Sequence, residues 1–224
     1  MTTAGDSRYP PTLVTLTLVS GFVDAISYLG LGQVFTANMT GNVVVIGFAL
    51  AGAPGFSIER SLSSLAAFLA GSVCAGRAEL RFRERFPSEW LRGALAAEAA
   101  LQAVAAVLAF ALAADLLLIA VLAFAMGLRN GTVRRLHVPD MTTTVLTQTL
   151  TGLASDSTLA GGDNPRAARR VSSVAAMLLG AFAGAVLVRA QGVGWALLAC
   201  ALMVTATAAT YPLVLSARPR RRTG

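Results

Sequence analysis

Two polar segments interrupt otherwise apolar stretches of this chain, and their matching order of residues indicates a site. The first runs Phe35-Thr-Ala-Asn-Met-Thr-Gly-Asn42. The second runs Val138-Pro-Asp-Met-Thr-Thr-Thr-Val145 and places Asp140 opposite Asn38. An Asn or Asp side chain at this position is typical of the N-cap of a helix. The two segments therefore predict two short helices that both begin among amide, carboxylate and hydroxyl groups.

Helix starts of this kind can bind a solute. Their first backbone N–H groups have no partner within the helix, and their partial positive charge favours an anion or a polar acceptor. We expect a small polar or anionic solute to contact ten residues. These are Asp24, Asn38, Thr40, Gly41, Asn42, Asn130, Asp140, Thr142, Thr143 and Thr144. The alternative is purely structural: Asn38 and Asp140 only cap their helices, and the threonines bond to their own backbone.

Three charged residues inside apolar runs need partners. Asp24 stands near the middle of the first run, where a charged carboxylate costs a few kcal/mol unless it is paired or protonated. It is either a proton-coupling group or a static partner for Asn42, Asn130 or a backbone N–H. Arg129 adjoins Asn130, the residue that matches Asp24 in the second half, and is the candidate anion contact. Glu98 is interpreted as a shallow carboxylate that pairs with an interfacial arginine.

The composition places these residues in a membrane. The chain has 224 residues, of which 55% are hydrophobic and only 13% charged, which is too apolar for an ordinary soluble domain. Its net charge of +7 is the balance of eighteen arginines, with no lysine, against eleven acidic residues, and the arginines cluster at the ends of apolar runs. That distribution is typical of the positive-inside rule, and it argues against a nucleic-acid partner.

Six apolar runs are long enough to cross roughly 30 Å of hydrocarbon as helices. They are Pro11 to Leu31, Leu62 to Leu80, Leu91 to Ala113, Leu116 to Val133, Val171 to Val188 and Gly194 to Leu215. Two shorter pieces remain, Asn42 to Ala51 and Thr142 to Ser155. If both also spanned, the Arg-rich loop after the second run and the Arg-rich tail would lie on opposite sides. If both are re-entrant half-helices, sixteen of the eighteen arginines lie with both termini in the cytoplasm.

The second half of the chain repeats the first. Ser63-Ser-Leu-Ala-Ala67 with Gly71 matches Ser172-Ser-Val-Ala-Ala176 with Gly180, and Gly21-Phe-Val-Asp-Ala25 is loosely echoed by Gly127-Leu-Arg-Asn-Gly131. Because each unit has three spanning helices, the second enters the membrane upside down. The predicted fold is therefore an all-α membrane protein with six transmembrane helices and two short re-entrant half-helices, arranged as an inverted 3+3 repeat. This architecture recurs in transporters.

The domain boundaries follow from this repeat. They give a cytoplasmic N-terminal segment 1–10, a first repeat 11–113 with half-helix 42–51, a second repeat 114–216 with half-helix 142–155, and an Arg-rich cytoplasmic tail 217–224. The spacings Gly127 to Gly131 and Gly180 to Gly184 predict close helix packing and permit a homodimer. We predict no cofactor and no metal, because the single histidine, His137, stands alone in a loop.

The motifs also resemble a known family. Gly21-Phe-Val-Asp24, the Asn38-to-Asn42 core, Arg129-Asn-Gly131 and Met141-Thr142-Thr143 are similar to the YoaK-type family of bacterial membrane proteins of unknown function. The resemblance covers nearly the whole chain and implies a multi-pass protein of the bacterial inner membrane. It implies no particular substrate.

Three functions are compatible with these patterns. The first is a small secondary transporter or permease, with a midplane site between the two half-helix starts. The second is a non-transporting membrane scaffold or lipid-binding protein, in which the arginine clusters engage anionic headgroups. The third, an intramembrane enzyme, lacks a catalytic signature such as Gly-x-Ser-x-Gly, and we predict that the chain is not an enzyme.

Overall fold

The computed structural model describes residues 10–82, 87–112, 114–134, 146–164 and 166–216. Within these ranges the chain forms eight α-helices, one 3₁₀ turn at Thr158–Ala160 and no strand. The helices are α1 Pro10–Gly30, α2 Met39–Leu50, α3 Ile58–Phe82, α4 Pro87–Ala111, α5 Asp115–Arg134, α6 Leu146–Ser155, α7 Ala167–Gln191 and α8 Val193–Ser216. The predicted all-α class is confirmed for this part of the chain.

Five of these helices are long and apolar enough to cross a membrane. They cover Pro11–Gly30, Leu91–Ala111, Asp115–Arg134, Ala167–Gln191 and Val193–Thr210, and they match five of the six predicted spans. The sixth predicted span forms the middle of α3. That helix is outside the apolar set; it carries charged residues near both ends, Glu59 and Arg60 at its start and Arg77, Glu79 and Arg81 in its last turns.

The two short helices differ slightly from their predicted bounds. Helix α2 begins at Met39, three residues before the predicted start at Asn42, and its 12 residues extend over about 18 Å. The described part of α6 begins at Leu146, and the predicted residues 142–145 lie outside the described ranges. Helix α2 and the described part of α6 are each too short to cross roughly 30 Å of hydrocarbon.

Four helices form the centre of the bundle, and the others pack around them. Helix α4 packs against α5 and α8, and α1 packs against α8. Helix α3 lies along α5, and α7 lies along α1. The short helices are outermost, since α2 packs on α3 and α6 packs on α7. The apolar core consists largely of side chains from α1, α4, α5 and α8.

Glycines bring α1 and α7 into backbone contact. A Cβ atom added to Gly180 would overlap the carbonyl oxygen of Leu18, and one added to Gly184 would lie 2.7 Å from the carbonyl oxygen of Phe22. A Cβ atom on Gly21 would in turn overlap the carbonyl group of Met177. Because residue numbers rise together along both helices, α1 and α7 run parallel.

Helices α3 and α5 make an equivalent crossing. A Cβ atom added to Gly127 would overlap the carbonyl oxygen of Phe68, and one on Gly71 would overlap that of Phe124. A Cβ atom on Gly131 would lie 3.2 Å from the carbonyl oxygen of Ser72, so these helices also run parallel. The prediction that the two GxxxG spacings pack helices closely is confirmed. Both glycine faces are used within the chain, so neither is free to form a dimer.

The ends of the long helices meet at two faces of the bundle. At one face Arg60 at the start of α3 pairs with Asp115 at the start of α5, with a nitrogen–oxygen distance of 3.1 Å. Gly32, just beyond α1, packs against the same Arg60 side chain, and Gly30 packs against Val193 at the start of α8. We call this face the Arg60 end. The chain thus leaves α1 and enters α3 at the same end of the bundle.

An apolar cluster marks the opposite face, which we call the Leu13 end. It joins the starts of α1 and α4 to the last turns of α5 and α8. Its buried members are Leu13, Leu16, Leu91, Leu95, Val133 and Ala208. Helices α1 and α5 are therefore antiparallel, and the chain leaves α5 at the Leu13 end. Helix α7 starts there too, because it runs parallel to α1.

Candidate functional site

Asp24 holds the segment that leads into α2. Its Oδ1 atom accepts hydrogen bonds from the backbone N–H groups of Thr36, at 3.0 Å, and Ala37, at 2.8 Å. Its Oδ2 atom accepts a short hydrogen bond from the side-chain amide of Asn38. The carboxylate is buried, and both of its oxygens are used. Of the two interpretations left open for Asp24, these contacts are those of the static partner.

The predicted capping role of Asn38 is wrong. Asn38 is the residue before α2, but its side chain makes no capping hydrogen bond to that helix. Its Nδ2 atom instead donates a hydrogen bond to Oδ2 of Asp24. The backbone of Asn38 does contact the first turn of α2, because its carbonyl oxygen accepts a hydrogen bond from the N–H of Gly41 at 3.1 Å.

Asn42 fixes the same segment from the other side. Its Nδ2 atom donates to the carbonyl oxygen of Phe35 at 2.6 Å, and its Oδ1 atom accepts from the N–H of Phe35 at 2.9 Å. Nδ2 also donates to the hydroxyl of Ser64 at 3.1 Å, and that hydroxyl donates to the Phe35 carbonyl at 2.7 Å. Asn42 is fully buried, so its amide ties the start of α2 to α3.

The hydrogen bonds of this segment set the depth at which α2 starts. Asp24 lies six residues before the end of α1, which is about 9 Å along the helix axis. Ser64 lies six residues after the start of α3, again about 9 Å from the Arg60 end. The start of α2 therefore lies about 9 Å below the Arg60 end of the bundle and not at that end.

Thr40 and Gly41, the other candidate site residues in the first half of the chain, lie in the first turn of α2. Gly41 has no room for a side chain, because a Cβ atom there would lie 2.5 Å from the ring of Phe35. Thr40 is exposed on the first turn of α2. The structure thus brings Asp24, Asn38, Gly41 and Asn42 together around one loop and leaves the hydroxyl-bearing Thr40 at its edge.

The second-half residues are only partly described. Asn130 is half-buried on α5, whereas Asp140, Thr142, Thr143 and Thr144 lie outside the described residues, as does His137. Where the chain is described, α2 and α6 do not contact each other. The predicted approach of the two helix starts therefore stays a prediction.

Arg129 is buried at the centre of the bundle, with 1% of its surface exposed. Its Nη1 atom lies 3.2 Å from the Oε1 atom of Glu98 and donates to the carbonyl oxygen of Leu16 at 3.2 Å. Its Nη2 atom donates to the hydroxyl of Ser20 at 2.8 Å and lies 2.8 Å from the sulfur of Met126. The anion that Arg129 contacts here is a carboxylate of its own chain.

Glu98 is deep rather than shallow, which corrects the interpretation from sequence. It is fully buried in α4, and its partner is Arg129 and not an interfacial arginine. Its Oε1 atom also accepts a hydrogen bond from Nε2 of Gln102 at 3.0 Å. Glu98 and Gln102 are four residues apart and so share a helix face. That spacing of two polar residues in an apolar run was the signal for this cluster.

A second polar cluster, centred on Arg170, joins α6 to α7. Nη1 of Arg170 lies 2.8 Å from Oδ2 of Asp156, and it donates to the carbonyl oxygen of Gly152 and to Oδ1 of Asn164. The hydrogen bond from Arg170 holds the pKa of Asp156 below its usual value of 3.8. Where the chain is described, no three His, Cys, Asp or Glu side chains come together as a metal site would require.

The bundle, its five membrane-length helices and its buried ion pair define an integral, multi-pass membrane protein. The chain belongs to the family described as "protein of unknown function (DUF1275)", whose model matches residues 12–210. It is 38% identical over 157 residues to the UPF0700 transmembrane protein YoaK of Bacillus subtilis, covering 67% of this chain and 68% of that protein. The predicted resemblance is confirmed. No solved structure is significantly similar to the chain.

Proposed function

We propose that this protein is a small secondary transporter or permease for a small polar or anionic solute, built as an inverted repeat. The observation that carries the proposal is the start of α2 about 9 Å below the Arg60 end, held at that depth by Asp24 and Asn42. Transporters with inverted repeats place their substrate sites at interrupted helices of this kind, whose N-terminal N–H groups face the solute.

The helix ends support the inversion. Helix α2 lies between two helix ends that are both at the Arg60 end, so it enters the bundle and returns to the same face. Helix α6 lies between the end of α5 and the start of α7, which are both at the Leu13 end. The two short helices therefore enter from opposite faces, as the six-span prediction requires and the eight-span alternative does not.

The paired crossings support the repeat. If the first four helices correspond in order to the last four, then the α1–α7 crossing corresponds to the α5–α3 crossing. Both crossings are parallel. The contacts also have the same spacing. Gly180 contacts the backbone of Leu18, three residues before Gly21, and Gly127 contacts the backbone of Phe68, three residues before Gly71.

The arginines favour one orientation. Most of the described arginines stand in the turns at the Leu13 end, whereas Arg60 and Arg189 stand at the Arg60 end. The first group comprises Arg77, Arg81, Arg92, Arg134, Arg166, Arg169 and Arg170. The positive-inside rule then puts the Leu13 end in the cytoplasm, with both termini. In bacteria this corresponds to the inner membrane.

The contacts of Asp24 and Asn42 refine the expected roles. Both side chains are satisfied by protein groups, so we assign them to building the loop and Thr40 to contacting the solute. Proton coupling through Asp24 would place a proton on a carboxylate that already accepts three hydrogen bonds.

Cysteine labelling tests the inversion. Ala53→Cys and Gly161→Cys are made separately in a background without Cys74 and Cys200, and intact cells are treated with a membrane-impermeant maleimide. We expect labelling of position 53 from outside and of position 161 only after permeabilisation. Labelling of both positions from the same side would end the inverted-repeat proposal.

A ligand screen tests the solute site. Purified protein is heated with a library of small polar and anionic solutes. A solute present at a hundred times its dissociation constant should stabilise the fold by about 2.7 kcal/mol. Hits are repeated with Thr40→Val and with Gly47→Ala, a change on the same helix where an added Cβ has open space. We expect Thr40→Val to weaken the stabilisation and Gly47→Ala to leave it unchanged. No hit, or hits indifferent to Thr40→Val, would count against the site.

A further inference from the structure

Two arginines stand near the end of α3, on the side of the helix that faces away from the bundle. Arg77 and Arg81 are both exposed, and their spacing of four residues places them one helical turn apart, about 6 Å along the axis. Neither side chain forms an ion pair or a hydrogen bond with another residue of the described chain. Glu79, two residues from each, is buried and therefore on the inward side. The two guanidinium groups thus form one exposed site with two positive charges and no counter-ion among the described residues.

The same side of α3 faces lipid. Helix α3 lies along α5, which is long and apolar enough to span the membrane, and it also packs against α2 and α4. Its outward side carries three large apolar side chains that are exposed, Leu62, Leu69 and Val73. Their spacings of seven and four residues place them on one helix face, and Arg77 continues that face four residues after Val73. An apolar row therefore leads along α3 to the two arginines.

The two arginines lie at the depth of the lipid headgroups. Helix α5 has 20 residues, which extend over about 30 Å, the thickness of the hydrocarbon. Gly131, three residues before the end of α5, packs against Ser72 and Ala75 of the parallel helix α3. Arg77 follows this contact by a similar distance and is therefore level with the end of α5, and Arg81 lies about 6 Å beyond it. The headgroup layer is about 5–7 Å thick on each side of the hydrocarbon, so the two guanidinium groups border it.

The charge, the depth and the apolar row together define the occupant. Guanidinium groups donate paired hydrogen bonds to phosphate oxygens, and a phosphate supplies the negative charge that the two arginines lack. The phosphate must reach the site at headgroup depth, and its carrier must also cover apolar side chains that continue into the hydrocarbon. A free phosphate ion meets the first requirement but not the second. An anionic phospholipid meets both, because its phosphate and its acyl chains are joined in one molecule.

We propose that the outward face of α3 binds an anionic phospholipid, with the lipid phosphate between Arg77 and Arg81 and an acyl chain along Leu69 and Val73. The site is at the Leu13 end, so the orientation favoured by the arginines places this lipid in the cytoplasmic leaflet. The bound phosphate neutralises charge on a helix whose last turns are otherwise unfavourable next to lipid. This site does not depend on the transport proposal.

Native mass spectrometry of the full chain in detergent tests the site, with phosphatidylglycerol and phosphatidylcholine as probes. We expect the wild type to bind phosphatidylglycerol more tightly than phosphatidylcholine. The double variant Arg77→Gln with Arg81→Gln should bind phosphatidylglycerol about thirtyfold more weakly, about fivefold for each arginine, and phosphatidylcholine as before. The matched control, Arg92→Gln with Arg189→Gln, removes two exposed arginines on different helices at opposite ends of the bundle. It should bind phosphatidylglycerol as the wild type does.

Three results would overturn the inference: a wild type without preference for phosphatidylglycerol, a double variant that binds it normally, and a control that loses as much binding as the double variant. Excess inorganic phosphate should not displace the lipid, because it cannot cover the apolar row; displacement would also overturn the assignment to a lipid. Exposed arginines without partners can be replaced at little cost in stability. If the double variant does not fold, Arg77→Gln and Arg81→Gln are measured singly, with the fivefold loss expected of each. Solute uptake is measured separately, so failure of either proposal leaves the other standing.

Discussion

Replacing Glu98 by Gln should destabilise the protein by about 3 kcal/mol, near the lower end of the range for breaking a buried ion pair. Gln keeps the shape of Glu and retains an oxygen that can accept from Arg129, so the hydrogen bond can survive. The negative charge that compensates the Arg129 guanidinium is lost, however. Arg129 is 1% exposed, and its other oxygen acceptors, Leu16 and Ser20, are neutral. Its positive charge would then be buried without a counter-ion.

The free energy of unfolding is measured by denaturant titration in detergent micelles, with helix content followed by circular dichroism. Glu59→Gln makes the same chemical change at an exposed position and should cost less than about 0.5 kcal/mol. The control shows that any larger effect at position 98 comes from burial. A loss below about 1 kcal/mol for Glu98→Gln would refute the argument, because it would mean that no charge needs compensation there.

A double-mutant cycle separates pairing from simple disruption. Arg129→Met alone strands the carboxylate and should also be strongly destabilising. The combination of Glu98→Gln with Arg129→Met removes both charges, and it should cost about 2 kcal/mol less than the sum of the single losses. Additive losses would show that the two residues act independently and that the 3.2 Å contact carries no coupling.

Further predictions concern the α1–α7 crossing, the loop before α2 and the polar cluster between α6 and α7. Gly180→Ala should cost about 1–3 kcal/mol through overlap with the neighbouring backbone. Gly47→Ala, in open space, should instead raise stability by about 0.5–1 kcal/mol; equal effects in thermal melts would refute the close crossing. Asp24→Asn should cost about 1–3 kcal/mol, because one Asn oxygen cannot replace both carboxylate oxygens and its NH₂ would face the donor of Asn38. A variant as stable as the wild type would contradict that role. The folded-state pKa of Asp156 lies below 3.8, so its stabilising contribution is present above that pH and is lost as the pH falls below it. Wild type should therefore exceed Asp156→Asn in stability at neutral pH, with the difference vanishing in acid; a pH-independent difference in chemical melts would exclude the ion pair as its cause.

The features that depend on local pattern were predictable from the sequence. Hydrophobic runs gave five membrane-length helices close to their observed bounds, and the GxxxG spacings identified two close crossings. The polar segment at residues 35–42 was correctly singled out as the part of the first half where side chains converge. In each case the sequence pattern that predicts the feature lies within one short stretch of the chain.

The partners of buried charges were not predictable in the same way. Glu98 and Arg129 meet because α4 packs on α5, and nothing in the local sequence of either helix specifies the other. The role of Asn38 was misjudged for a related reason. Its side-chain NH₂ donates to Asp24, on a different helix, whereas capping rules consider only the helix that follows. Helix α3 has the length of a span but carries charged residues near both ends, so it is outside the apolar set.

The exchange of partners between the two halves has a consequence for how the chain is made. The glycine face of α1 is covered by α7, not by a helix of its own half, and α3 is covered by α5. Because the helices are made in chain order, the glycine face of α1 can be covered by α7 only after most of the chain has been synthesised. The first half alone would be an incomplete structure. The packing of α1 on α7 and of α4 on α8 is therefore completed late in synthesis.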